Sequence, residues 1–171
     1  MYRTIARHLA VGIVLASMLL TSCDKTTKPS SDATPPVLKW HIENQSTNVS
    51  TDIVGSGSFS AKQNETLRVT LKAEDSEGVS YIELGGGYVV SCQAGDAATN
   101  ASGGYTTDVQ TLAPDAQGNV LTLIFLIRTI TPDVTCPGGL SFVKTIVSLN
   151  GTSRNYFSGE TKSTLTLNIT P

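Results

Sequence analysis

The sequence predicts an all-β domain of about eight short strands, arranged as a β-sandwich or, as the alternative, a small closed barrel. Three observations point there. Apolar and polar residues alternate with a period of two in several runs, those runs are separated by Gly, Pro, Asn and Asp, and serine and threonine supply 41 of the 171 residues. Long stretches of helix formers are missing, so the chain prefers strands and turns, and several short alternating runs stack into two-layer or barrel architectures.

Residues 37–42 set Leu38, Trp40 and Ile42 on one face against Val37, Lys39 and His41 on the other. Residues 66–73 repeat the pattern, with Leu67, Val69, Leu71 and Ala73 opposite Arg68, Thr70 and Lys72, the mark of a strand with one wet face. Asp75-Ser76-Glu77-Gly78 supplies a turn and residues 79–84 resume the alternation, so these two runs are expected to be neighbouring strands. Gly85-Gly86-Gly87 is expected to break the chain before a strand at 88–93. Residues 94–104 read as a flexible stretch leading to a strand at 105–112, and 114–119 as a further turn. Residues 120–130 are apolar on both faces over most of their first eight positions, which predicts a strand in the centre of the domain. β-Branched Val120, Thr122, Ile124 and Ile127 weigh against a buried helix of that length. A strand at 140–149, an interruption at Asn150-Gly151 and a strand at 163–169 complete the set.

Ahead of this domain lie a basic start with Arg3, Arg7 and His8, an apolar run over 9–20, and the small residues Thr21 and Ser22. Twelve apolar residues at about 1.5 Å each reach about 18 Å, short of a hydrocarbon core of about 30 Å. The layout is therefore that of a cleaved secretory signal over residues 1–22. Leu20-Thr21-Ser22-Cys23 resembles the lipobox of bacterial lipoproteins, and the resemblance implies cleavage before Cys23, acylation of its thiol, and attachment to a membrane outside the cytoplasm. Two or more acyl chains hold stably where one is marginal. Which membrane and which leaflet the sequence leaves open. Residues 23–36, rich in Ser, Thr, Lys and Pro, read as the lipidated cysteine and a disordered tether, with the folded domain over 37–171.

Cleavage leaves 171 minus 22, or 149, residues, and the loss of Arg3 and Arg7 leaves 10 basic against 14 acidic side chains. A net charge near −4 argues against nucleic acid as a partner. Once Cys23 is used, Cys92 and Cys136 remain, and an even pair in an exported chain reads as a disulfide, with two buried free thiols as the alternative.

Two stretches resemble the bacterial immunoglobulin-like and fibronectin-like domains of surface proteins. They are Asp32-Ala33-Thr34-Pro35-Pro36-Val37 and the run LRVTLKAEDSEGVSYIEL over 67–84. The resemblance implies an immunoglobulin-like sandwich in which Asp75 and Gly78 shape the turn. The chain is longer than one such domain, and the cysteine pair lies outside the shared pattern.

Catalytic and metal patterns are absent from the sequence. His41 is the sole histidine after the signal, with no nucleophile elbow beside it, and a zinc site asks for several His or Cys ligands. Glu74, Asp75 and Glu77 place three carboxylates in one turn, a candidate for calcium whose spacing is not that of an EF-hand. No cofactor is expected and no enzyme. The expectation is a lipid-anchored envelope protein with a binding or adhesion role toward protein or glycan, the alternatives being a structural envelope component or, further off, an enzyme or inhibitor. The candidate binding loop is 94–104, flanked by Tyr88 and Tyr105 and carrying Asn100, because recognition gathers on sandwich loops.

Overall fold

Alternation at 37–44 is realised as strand β1 (Val37–Asn44), which buries Leu38, Trp40 and Ile42 and exposes the residues between them. The computed structural model describes residues 34–111, 118–128 and 136–171, with backbone only at 105–111 and 128. The signal, the lipobox with Cys23, the tether up to residue 33, and residues 112–117 and 129–135 lie outside the described residues.

After β1 the chain forms β2 (Val49–Val54), β3 (Gly57–Lys62), β4 (Thr66–Glu74), β5 (Val79–Ala94), β6 (Ala97–Thr111), β7 (Val120–Arg128), β8 (Ser141–Asn155) and β9 (Glu160–Thr170). Two sheets result, β2-β1-β4-β7 and β3-β9-β8-β5-β6, so the molecule is an open sandwich and the closed barrel is set aside. Every neighbouring pair is antiparallel except β3 with β9. Apart from β2 and β3, the layers read β1-β4-β7 against β9-β8-β5-β6. Among the described residues this matches the strand order A-B-E against G-F-C-C′ of immunoglobulin-like sandwiches.

β2 and β3 went unread in the sequence because they bury little. Ile53 and Phe59 are only half-buried, and Ala61 is the one fully buried residue of the two strands. Between them Gly55, at φ 71°, turns the chain from one sheet to the other.

Four expectations are corrected. The runs at 66–73 and 79–84 are not neighbours, because the turn after β4 carries the chain into the opposite sheet. There its start is held by backbone bonds from Asp75 to Asn119 (3.0 Å) and from Val79 to Gly118 (2.8 Å). Gly85-Gly86-Gly87 does not end a strand. β5 runs through it with a bulge between Leu84 and Gly86, where a side chain on Gly86 would stand 2.2 Å from the Ser148 carbonyl oxygen. Asn150-Gly151 does not interrupt β8 either. Glycine is there because a Cβ would come within 2.7 Å of Leu71 Cδ2 and 3.2 Å of Trp40. Finally, β7 is an edge strand rather than a central one, with Ile124 and Leu126 turned outward at 47% and 67% exposure.

Between the sheets, β1 and β4 contribute Leu38, Trp40, Leu67 and Leu71, and β8 and β9 answer with Val147, Leu149, Leu165 and Leu167. Period-two alternation on both inner faces builds this core, and burial of those side chains is the main favourable term for the fold.

Candidate functional site

β5 and β6 are 16 and 15 residues long against 8 in β1, which at about 3.3 Å per residue makes an arm of about 50 Å beside a strand of about 26 Å. The two are joined by a two-residue turn at Gly95-Asp96, with Gly95 at φ 58° and its carbonyl bonded by Gln93 Nε2 at 3.0 Å. The flexible stretch expected at 94–104 is therefore strand from Ala97 onward, paired residue for residue with β5. Its small residues suit an edge strand, where backbone pairing rather than side-chain burial holds the chain.

The three residues singled out for the binding loop fall in different places. Tyr88 is half-buried and packs against the core, its ring lying across Gly103 on the neighbouring strand so closely that a Cβ there would stand 2.5 Å from the tyrosine oxygen. It is a packing residue, not a surface anchor. Asn100 is exposed on the outer face, paired with Ser91, which pairs in turn with Lys144 of β8. With Val89, Ser102 and Ile146 these line a shallow outer groove. Tyr105 pairs with Gly86 through its backbone, and its side chain lies outside the described residues.

Cys92 and Cys136 form the disulfide, with Cα atoms 5.7 Å apart and Cys92 only 2% exposed. It fastens the far part of β5 to the short 3-10 turn Pro137–Gly139 that feeds β8, next to the pairing of Cys92 with Phe142. The bond thus secures the arm within one sheet instead of joining the two sheets. At the opposite end the amino-terminal lead-in is held: Asn155 Nδ2 donates to the Thr34 carbonyl at 3.0 Å, and the Thr161 hydroxyl donates to that of Pro36 at 2.6 Å. β1 starts beside the end of β4, and β5 starts beside the end of β8 and runs away from it. Residue 34 and the arm's tip accordingly sit at opposite ends of the sandwich.

The carboxylates of the 74–77 turn do not converge. Glu74 bridges Lys39 and Lys72, whose hydrogen bonds hold its carboxyl down at about 2, while Asp75 Oδ1 accepts from the Glu77 backbone N–H at 2.9 Å. Among the described residues no three His, Cys, Asp or Glu side chains are grouped to hold a metal. His41 sits on the outer face of β1, 2.7 Å from Asp52 of β2.

One surface cluster has no local signal in the sequence. Arg154 lies 5.0 Å from the centre of the Tyr81 ring and pairs with Glu160 at 2.6 Å, while Glu160 also meets Lys162 at 2.9 Å. Tyr81 donates to Glu83 at 2.5 Å, a bond that raises the phenol above its ordinary range. These residues come from β5, β8 and β9 and meet only once the strands pair. No family model matches the chain, and no curated protein matches it.

Proposed function

We propose that this chain is a lipid-anchored envelope module of the immunoglobulin-like kind. It is fastened outside the cytoplasm through Cys23, and its β5–β6 arm is held out to bind protein or glycan without catalysis. The opposition of the two ends carries the reading. The tether enters at Thr34, whose carbonyl Asn155 holds while Thr161 holds that of Pro36, and the disulfide-secured arm points the other way. A tether of about 10 residues allows on the order of 17 Å of root-mean-square reach, so an arm directed away from the attachment point is the part best placed to meet partners. Rigid strands cost less entropy to present than a loose loop does.

Two measurements test this. Cells grown with a labelled fatty acid should mark the protein, and Cys23→Ser should abolish the label; label retained by the variant would remove the anchor. A photo-crosslinking residue placed at Asn100 on the arm should give discrete adducts in intact cells, whereas one at Asn119 near the tether should not. Adducts concentrated at Asn119 would move the binding function off the arm.

A further inference from the structure

The two outer faces of the sandwich differ in where their charges lie. That of the four-stranded sheet carries Lys39, Glu43, Arg68, Lys72 and Glu74. Across the middle of the five-stranded sheet, from β3 to β6, one outward row reads Ser60, Asn168, Ile146, Val89 and Ser102. The next row reads Ser58, Thr166 and Ser148 and ends on Gly87 and Gly104. Neither row contains a charge. Charged side chains flank these rows, with Lys62 and Lys144 on one side and Glu83, Lys162, Arg154 and Glu160 on the other.

Solubility does not ask for such a face, since it is served by interspersed charges of both signs. Within these two rows an anionic or cationic partner would find no counter-charge, Lys144 standing at the edge of the groove, and an apolar one would find little beyond Val89 and Ile146. Hydroxyl and amide groups that both donate and accept, spaced about 4.8 Å between strands, match a partner that is itself neutral and rich in hydroxyls.

The glycines sharpen this. Gly87 is required by the sheet, because a Cβ would stand 2.8 Å from the Gly103 carbonyl oxygen. Gly104 is not: a Cβ there would meet nothing nearer than Gly86 O at 3.7 Å, an ordinary contact. Packing leaves Gly104 unexplained, and the missing side chains of the paired Gly87 and Gly104 leave the outer face low, as a trough across β5 and β6 beside the groove lined by Val89, Ser102, Lys144 and Ser148.

Resting on the binding role above, we propose that this outer face binds a neutral polysaccharide whose chain lies across the strands and enters the trough at Gly87 and Gly104. The test is co-sedimentation of the full chain, in neutral detergent, with insoluble cellulose, a β-1,3-glucan, mannan and granular starch, with carboxymethyl-cellulose as the charged control. At least one neutral polymer should retain the protein more strongly than the charged control does. Gly104→Thr, which fills the trough at a position with room for a Cβ, and Ser148→Asp, which puts a charge into the row, should each weaken retention at least tenfold with unchanged circular dichroism. Retention by none of the neutral polymers, retention by the charged control alone, or full retention by a folded Gly104→Thr would overturn the proposal. Adducts from Asn100 in cells without polysaccharide retention would leave the binding module standing and remove its neutral glycan; absence of both would remove both.

Discussion

The indole N–H of Trp40 in β1 donates to the Ser163 hydroxyl in β9 at 3.0 Å, joining the two sheets by a polar bond through the middle of the core. Both residues are buried, and Gly151 leaves the space that the indole and Leu71 occupy. Ser163→Ala strands a buried donor, so it should cost about 1–3 kcal/mol in urea unfolding. Gly151→Ala should destabilise as well, by overpacking, at about 1–3 kcal/mol. A Ser163→Ala variant as stable as the parent would show that the bond contributes nothing.

The disulfide joins residues 44 apart, and closing a loop of that length removes about 4 kcal/mol of chain entropy from the unfolded state. Cys92→Ala with Cys136→Ala should therefore unfold at markedly lower denaturant, while the register of β4 and β1 in the other sheet is kept. Alkylation of the unfolded protein without reductant should leave Cys92 and Cys136 unmodified; modification of both would refute the bond.

Acid should loosen the attachment of β1 to β4. Glu74 is held down to about 2 from an ordinary value of 4.5 by hydrogen bonds from Lys39 and then Lys72. A carboxylate lowered in the folded state contributes stability that is present above its unfolded value and is lost as pH falls through the folded one, here between about 4.5 and about 2. The partners are partly exposed and screened, so the effect is modest. Comparing denaturation midpoints at pH 5 and pH 3, the parent should lose more stability than Glu74→Gln. Equal losses would remove Glu74 from the acid response.

Asn155 both shapes a turn and clamps the lead-in. Its Oδ1 accepts from the Phe157 and Gly159 backbones at 2.9 and 2.8 Å while Nδ2 donates to Thr34. Asn155→Asp keeps the acceptor and removes the donor. It should speed proteolytic cleavage near residue 34 with a small change in global stability, whereas Asn155→Ala should lower both by leaving the turn donors unmet, at about 1–3 kcal/mol. Identical behaviour of the two variants would mean that the Thr34 bond carries no separate role.

Some of the molecule is written locally. The alternation over β4 names its own buried face, as does that of β1, because a strand with one wet side repeats every two residues whatever it pairs with. The even cysteine pair was legible too. Strand order was not. β7 reads as a central strand because its residues are apolar on both faces, yet apolarity says nothing about which neighbours a strand receives, and it lies at an edge. Gly86 and Gly151 read as breaks because their reasons, Ser148 and Leu71, lie on other strands. Tyr88 read as a surface aromatic because Gly103, 15 residues on, gives no sign of being its bed.

From the sequence alone come the secretory signal and the Cys23 lipobox as expectations, the all-β class and the inner faces of the strands with clear alternation. The tertiary structure decided that the described residues form nine strands in sheets of four and five, that 97–104 is strand paired with β5, and that one outer face is free of charge across its centre. The division is physical. Hydrophobic periodicity is a property of neighbouring residues, while pairing, charge segregation and the Trp40–Ser163 bond arise between segments up to 123 positions apart, where many registers satisfy the same local pattern and only packing selects one.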